Sequence, residues 1–356
     1  MNTIKLIRII GVPNIPGDPS LCNKENVKEL YELAFENRVE LLFLKAIEGS
    51  DAWSEEYATK YQELSERSRL TEEIGVDCSK VLQAANVKHV IFKSFKPYPA
   101  TPNDTDVVCL GPEEDYQRGE KALTDSGYKV IGVAPMQTLM YHPSGEGKVS
   151  SKKAGGTYYV DFYRGVAVDY YEYMNKWDLI PEMFSQERNG QLVWECKPEL
   201  ELAVVLFHNV FPERTFQLEH FYLTLYACSN PKFSTDHLIK VSKNSHLLFA
   251  LRYSLSLVEV LHEEAFGTKD SDMTAVLDEI GRSHAAAKRL KKCSYHLTFN
   301  FSGLQFWLVF CSKLADGYSR KALLRQIWYM KNPKFFMEAA KAAWVRTFNK
   351  EIYEHQ

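Results

Sequence analysis

The stretch Val87-Lys-His-Val-Ile-Phe-Lys-Ser-Phe-Lys-Pro-Tyr-Pro-Ala-Thr-Pro-Asn-Asp-Thr-Asp-Val-Val-Cys-Leu110 decides the reading of this 356-residue chain. Its first six residues are short, β-branched and apolar, and read as a strand. Three prolines between Lys93 and Asn103 make the next segment a loop. Asp104-Thr-Asp-Val-Val-Cys-Leu110 then reads as a second strand, opened by two carboxylates and stopped by Gly111-Pro112. Side chains two apart on a strand share a face, with ~3.3 Å of rise per residue. Asp104 and Asp106 held that way repel each other unless a cation sits between them. A hard divalent ion, Mg²⁺ or Mn²⁺, bound by oxygen ligands suits such a pair.

Outward from this stretch the pattern alternates. Upstream, residues 24–86 carry apolar positions at 3–4 spacing (Val27, Leu30, Leu33, Ala34, then Val39, Leu42, Phe43) and read as helices. Downstream come a helix over 113–126, a strand over 127–131, a turn-rich polar stretch over 143–156, and a strand, Thr157-Tyr-Tyr-Val-Asp-Phe-Tyr163. That last strand carries a third carboxylate, Asp161. If it neighbours the first acidic strand, Asp104, Asp106 and Asp161 converge on the arrangement used for in-line phosphoryl or nucleotidyl transfer. From Lys176 onward strand signals fade, and 199–210, 216–227, 235–264, 271–292 and 305–350 read as helices. The expected fold class is α+β. Residues 1–86 form a mostly helical segment, 87–175 an α/β core with a small mixed sheet, 176–281 a helical domain, and 282–356 a basic, aromatic-rich helical tail.

Composition sets the class of chain. Hydrophobic residues at 45% and charged residues at 25% exclude a disordered or fibrous protein. The net charge of −3 hides an asymmetry: residues 282–356 hold 14 Lys/Arg against 4 Asp/Glu, or +10, while residues 1–281 hold 29 against 42, or −13. An acidic body with a basic tail points to a polyanionic partner. The tail interleaves Arg and Lys with Trp307, Tyr318, Trp328, Tyr329, Phe335, Phe336, Trp344 and Phe348. That mixture suits RNA, anionic lipid, or a helix with an aromatic core face and a solvated basic face. The seven cysteines are scattered and form no CxxC pair, which argues against a disulfide framework or zinc site and for a reduced, cytoplasmic compartment. No apolar run nears the ~18 residues that cross a bilayer, so no transmembrane segment is expected. Lys5 and Arg8 interrupt the apolar N-terminus, which does not read as a signal peptide. No Walker or Gly-x-Gly-x-x-Gly pattern occurs. Gly145-Glu-Gly-Lys148, with Lys152 and Lys153, reads as a solvated loop, Asp169 as a spare surface carboxylate, and His262-Glu-Glu-Ala-Phe misses the zinc pattern at its last position.

Three segments together resemble the nucleotidyltransferase superfamily with the polymerase-β-like fold: Ile91-Phe-Lys-Ser94, Asp104-Thr-Asp-Val-Val108 and Tyr159-Val-Asp-Phe-Tyr163. Within it the chain is similar to the uncharacterised nucleotidyltransferases with a Lys-Gly turn, an Asp-x-Asp strand and a later Asp strand, over roughly residues 25–230. The resemblance implies a metal-dependent enzyme that moves an NMP from an NTP to a hydroxyl acceptor and releases pyrophosphate. Asp104, Asp106 and Asp161 would hold the metals; Lys93 and Ser94, with Lys96, would contact the triphosphate; His208 and Arg214 would lie on the acceptor side. Two positions depart from the pattern. Ser94 replaces the turn glycine, and no arginine precedes Asp104. An alternative expectation follows from those departures: a catalytically degenerate member that binds RNA or another polyanionic partner through residues 282–356.

Overall fold

The computed structural model describes residues 2–102, 104–145, 158–168, 171–295, 299–329, 331–333, 336, 337 and 340. The 145–148 loop beyond Gly145, Lys152, Lys153, Asp169 and the tail aromatics Phe335, Trp344 and Phe348 lie outside the described residues. The chain is mixed α/β and forms two compact units. One comprises residues 1–66, 96–101 and 198–312; the other comprises 67–95, 102–197 and 313–356.

The second unit is built on a seven-stranded mixed sheet. Its strands are β1 (His89–Ile91), β2 (Thr105–Cys109), β3 (Lys129–Ala134), β4 (Gln137–Tyr141), β5 (Tyr159–Tyr163), β6 (Met183–Arg188) and β7 (Gln191–Cys196). Their order across the sheet is β6-β7-β1-β2-β5-β4-β3. Only β7/β1 and β2/β5 pair in parallel; the other neighbours are antiparallel.

Alternation along the strands decides what each face carries. Val107 and Cys109 from β2, and Val160 and Phe162 from β5, join a buried core with Ile74, Cys78 and Leu82 of the helix Glu55–Ala84 and Tyr116 and Leu123 of the helix Glu113–Asp125. Ile74, Cys78 and Leu82 recur every four residues, which puts them on one helix face. The 113–125 helix packs closely because residue 119 is glycine: a Cβ there would lie 2.8 Å from Phe162 and 3.0 Å from Leu82. Tyr116 stacks on Phe162 at 4.6 Å, and its buried hydroxyl donates to the Phe162 carbonyl at 2.9 Å and lies 2.8 Å from Thr138 Oγ1, whose hydroxyl can donate to it.

The hairpin β6–β7 overturns the expectation that strands end before residue 176. Its two-residue turn is Asn189-Gly190, with φ of 49° and 74°. Positive φ at both central residues gives the turn the twist that suits a two-residue hairpin, and Asn-Gly favours it. The strand β4 also went unread; its Gln-Thr-Leu-Met-Tyr alternates too weakly to stand out beside β3.

The first unit is helical. It contains, among others, the helices Asn2–Ile10, Val27–Glu36, Glu40–Ile47, Pro198–His208, Leu218–Cys228, Thr235–Asn244, Leu248–Phe266 and Ser271–Ile280. The single helix expected over 235–264 is two, broken at His246, which takes φ of 55°. The one expected over 271–292 is likewise interrupted, at Gly281 with φ of 80°. The 248–266 helix is buried on most of its turns and forms the centre of this unit's core. Among the described residues, no helix is long and apolar enough to cross a membrane.

Candidate active site

Because β2 and β5 are parallel neighbours, their register matters. Asp106 pairs directly with Asp161, and both alternate out of phase with the core residues Val107 and Phe162. The two carboxylates therefore emerge together on the sheet face opposite the helix-covered core. Asp104 stands one residue before β2, half-buried, close enough for its charge to act on Asp161. The sequence-predicted triad is thus gathered in one unit and on one edge of two adjacent strands.

Its charge balance is unusual. Asp161 is buried, and burial together with the negative charges of Asp104 and Asp106 pushes its pKa well above the ordinary carboxylate range. Lys93 and the Tyr163 hydroxyl, which donates to Oδ2 at 3.2 Å, oppose that shift only in part. The other oxygen, Oδ1, is buried and accepts no hydrogen bond.

Lys93 supplies the nearest positive charge. Its Nζ lies 3.3 Å from Asp106 Oδ2, with side-chain exposures of 16% and 9%. The ammonium also lies 4.7 Å from the centre of the Phe92 ring and 5.7 Å from that of Tyr163. Burial alone would lower its pKa, but Asp106, with Tyr173 and Asp104, raises it above the usual lysine value, so it stays charged. The backbone of Lys93 sits at φ of 63°, a left-handed conformation that costs a non-glycine residue roughly 1–2 kcal/mol. The chain thus takes, with a lysine, the kind of turn that glycine makes most cheaply.

Ser94 faces inward. Its hydroxyl donates to the Phe92 carbonyl at 3.1 Å and accepts from the Asp106 N–H at 2.8 Å, clamping the end of β1 to the start of β2. The group expected against a phosphate is instead engaged with backbone. Lys96, His208 and Arg214 belong to the first unit. The Lys96 ammonium pairs with Glu219 Oε1 at 3.2 Å and is largely buried, so a phosphate contact through it would require breaking that pair. His208 Nε2 lies 3.4 Å from Glu213 Oε1, across a π-helical turn over Asn209–Glu213, and Arg214 ends that turn at φ of 56°. His208 Nδ1 and Arg214 Nε are buried without hydrogen-bond partners.

Tyr163, Phe92 and Tyr173 around the carboxylates were not singled out by sequence. Tyr163 was legible, since it follows Asp161 by two on the same strand and must share its face. Tyr173 was not, because it arrives on a separate hairpin, Val166–Val168 with Tyr171–Met174.

The donor set around Asp161, hard carboxylate oxygens with one orphaned, has the chemistry a divalent cation requires. As the side chains stand, no group of three His, Cys, Asp or Glu among the described residues is close enough to hold a metal ion, and Lys93 holds the place of the neutralising charge. Cavities of about 200 and 300 Å³ occur elsewhere; one is lined by first-unit residues such as His262 and Asp270, the other by Glu73, Asp77, Lys80 and Gln191. Comparison with protein-family models, with curated proteins and with solved structures finds no match.

Proposed function

We propose that the chain is a nucleotidyltransferase that moves a nucleoside monophosphate from an NTP to a hydroxyl acceptor. The observation that carries this reading is the pairing of Asp106 with Asp161 on adjacent parallel strands, beside Asp104, with an oxygen of Asp161 buried and unsatisfied. Like charges buried on adjacent strands are retained at a cost in stability, and metal-assisted phosphoryl transfer is a chemistry that uses such a set.

Asp104, Asp106 and Asp161 would hold Mg²⁺ or Mn²⁺, which would supply charge neutralisation for the triphosphate. With a cation bound to lower its pKa, Asp161 would be ionised and able to accept the proton of the acceptor hydroxyl. The hydroxyl oxygen would bond to the α-phosphorus as the bond to the β-phosphate oxygen breaks, and pyrophosphate would leave. Lys93, charged at neutral pH, would turn from Asp106 toward the phosphates. The β1–β2 connection, clamped by Ser94, would keep the site from reorganising during the step.

The test is calorimetric titration of ATP, CTP, GTP and UTP with Mg²⁺ into the wild type and into Asp104→Asn. Metal-dependent binding of at least one NTP, lost in the variant, is the expected result. Binding by neither protein, or equally by both, would overturn the reading. An Asp104→Asn, Asp106→Asn double variant that keeps transfer activity would overturn the mechanism.

A further inference from the structure

The helix Gly317–Tyr329 presents a face that the proposed chemistry does not use. Its inner side is anchored within the second unit. Ser319 and Ala322 are buried, the helix packs on the strand Tyr171–Met174, and Arg325 pairs with Glu172 at 2.6 Å. Its outer side is defined by residues 320, 321, 324, 327 and 328, at the i, i+3, i+4 spacing of one helical stripe, and Lys331 follows in the turn past the end of the helix. At the middle of that stripe Leu324, Ile327 and Trp328 are 67%, 51% and 65% exposed. Arg320 and Lys321 stand exposed at one end and Lys331 at the other, with the Lys331 ammonium 3.9 Å from the centre of the Trp328 ring. From Gly317 to Met337 the sequence contains five Lys/Arg and no Asp or Glu.

We infer that this face binds an anionic lipid surface, with Leu324, Ile327 and Trp328 entering the acyl boundary and Arg320, Lys321 and Lys331 on the headgroups. Cations placed at both ends of a short apolar patch can extend to the headgroup plane while the patch is buried, and an interfacial tryptophan sits at that depth. An RNA platform would place aromatic rings where Leu324 and Ile327 stand, since aliphatic side chains give bases nothing to stack on. A second copy would bring three cations against three, with no carboxylate in the stripe to pair them.

The experiment is sedimentation of the full chain with vesicles of phosphatidylcholine alone, or of phosphatidylcholine with 30% phosphatidylserine, at low and at physiological salt, with a single-stranded RNA oligomer titrated in parallel. The wild type should bind the anionic vesicles and not the neutral ones, and more weakly as salt rises. Lys321→Glu with Lys331→Glu should lower that binding at least tenfold, since each cation near an anionic surface contributes roughly fivefold. Leu324→Ser with Trp328→Ser should lower it at least tenfold while leaving the far-ultraviolet circular dichroism and melting temperature unchanged, because both side chains are exposed. Equal binding to neutral vesicles, no binding to either, or variants that bind like the wild type would overturn the inference. So would a loss of RNA binding in the charge variant while vesicle binding persists, which would make the face an RNA surface.

Discussion

Replacing Lys93 by methionine isolates the role of the cation that, among the described residues, pairs with Asp106. Methionine keeps most of the stem's volume, and it removes the charge together with the ammonium's approach to the Phe92 and Tyr163 rings. At the 3.3 Å between Nζ and Asp106 Oδ2, an effective dielectric of about 20 gives a gross attraction of about 5 kcal/mol. Both side chains keep some solvent access, so the net loss is smaller. Breaking a buried pair by removing one partner typically costs 3–5 kcal/mol, and the lower end, about 3 kcal/mol, is expected here. The cost arises because Asp106 would lose its ion-pair partner while it faces the negative charges of Asp104 and Asp161. A divalent cation would then restore the lost positive charge, and ligands that bind the native state stabilise it by mass action. Urea denaturation is the suitable assay, since urea adds no ions. Without metal, Lys93→Met should unfold at a lower urea midpoint with the slope unchanged. With millimolar Mg²⁺ the variant should recover at least half of the loss, and the wild type should gain much less. A variant destabilised by under 1 kcal/mol would refute the claim that Lys93 neutralises the cluster. Equal gains from Mg²⁺ in both proteins would refute the claim that lysine and metal compete for one place.

Two further outcomes follow from the described geometry. Ser94→Ala removes the hydroxyl that bridges the Phe92 carbonyl and the Asp106 N–H, leaving a buried donor unmatched; thermal denaturation should report a loss of about 1–3 kcal/mol. In the first unit, His220 is buried and its Nδ1 accepts from the Gln217 N–H. Burial, chiefly, lowers its pKa from 6.5 to about 4. A depressed folded-state value means the stability from neutral His220 is full above pH 6.5 and is lost as pH falls toward about 4, some 3 kcal/mol in all. Glu219, held down to about 2 by Lys96 and Arg38 against its own desolvation, gives up its contribution only below about pH 4.5. Burial also lowers the pKa of His89, and Asp161, with its raised pKa, contributes a slope of opposite sign, so His220 is read between pH 7 and 4.5 as the difference in slope between the wild type and His220→Gln; an unchanged slope would contradict the assignment.

The residues whose meaning is local were legible in the sequence. β1, β2, β5 and the 113–125 helix were read because short β-branched runs, prolines and 3–4 spacing act within a few residues of chain. The carboxylates were read for the same reason: Asp104 and Asp106 share a face by strand period alone. The hairpin β6–β7 carries its own signal in Asn189-Gly190, but its strands are rich in Gln, Glu and Arg and only Val193 of β7 joins the core around Phe162, beside the pairing of Glu195 with Ile91 of β1. What no local pattern contains is strand adjacency. That β5 lies beside β2, in a register placing Asp161 opposite Asp106, depends on pairing across more than fifty residues of chain. Tertiary structure also decided the fate of the cations, because a charged side chain turns to the nearest buried carboxylate. Lys93 and Lys96, three residues apart, looked alike as phosphate ligands in the sequence; folding gave one to Asp106 and the other to Glu219.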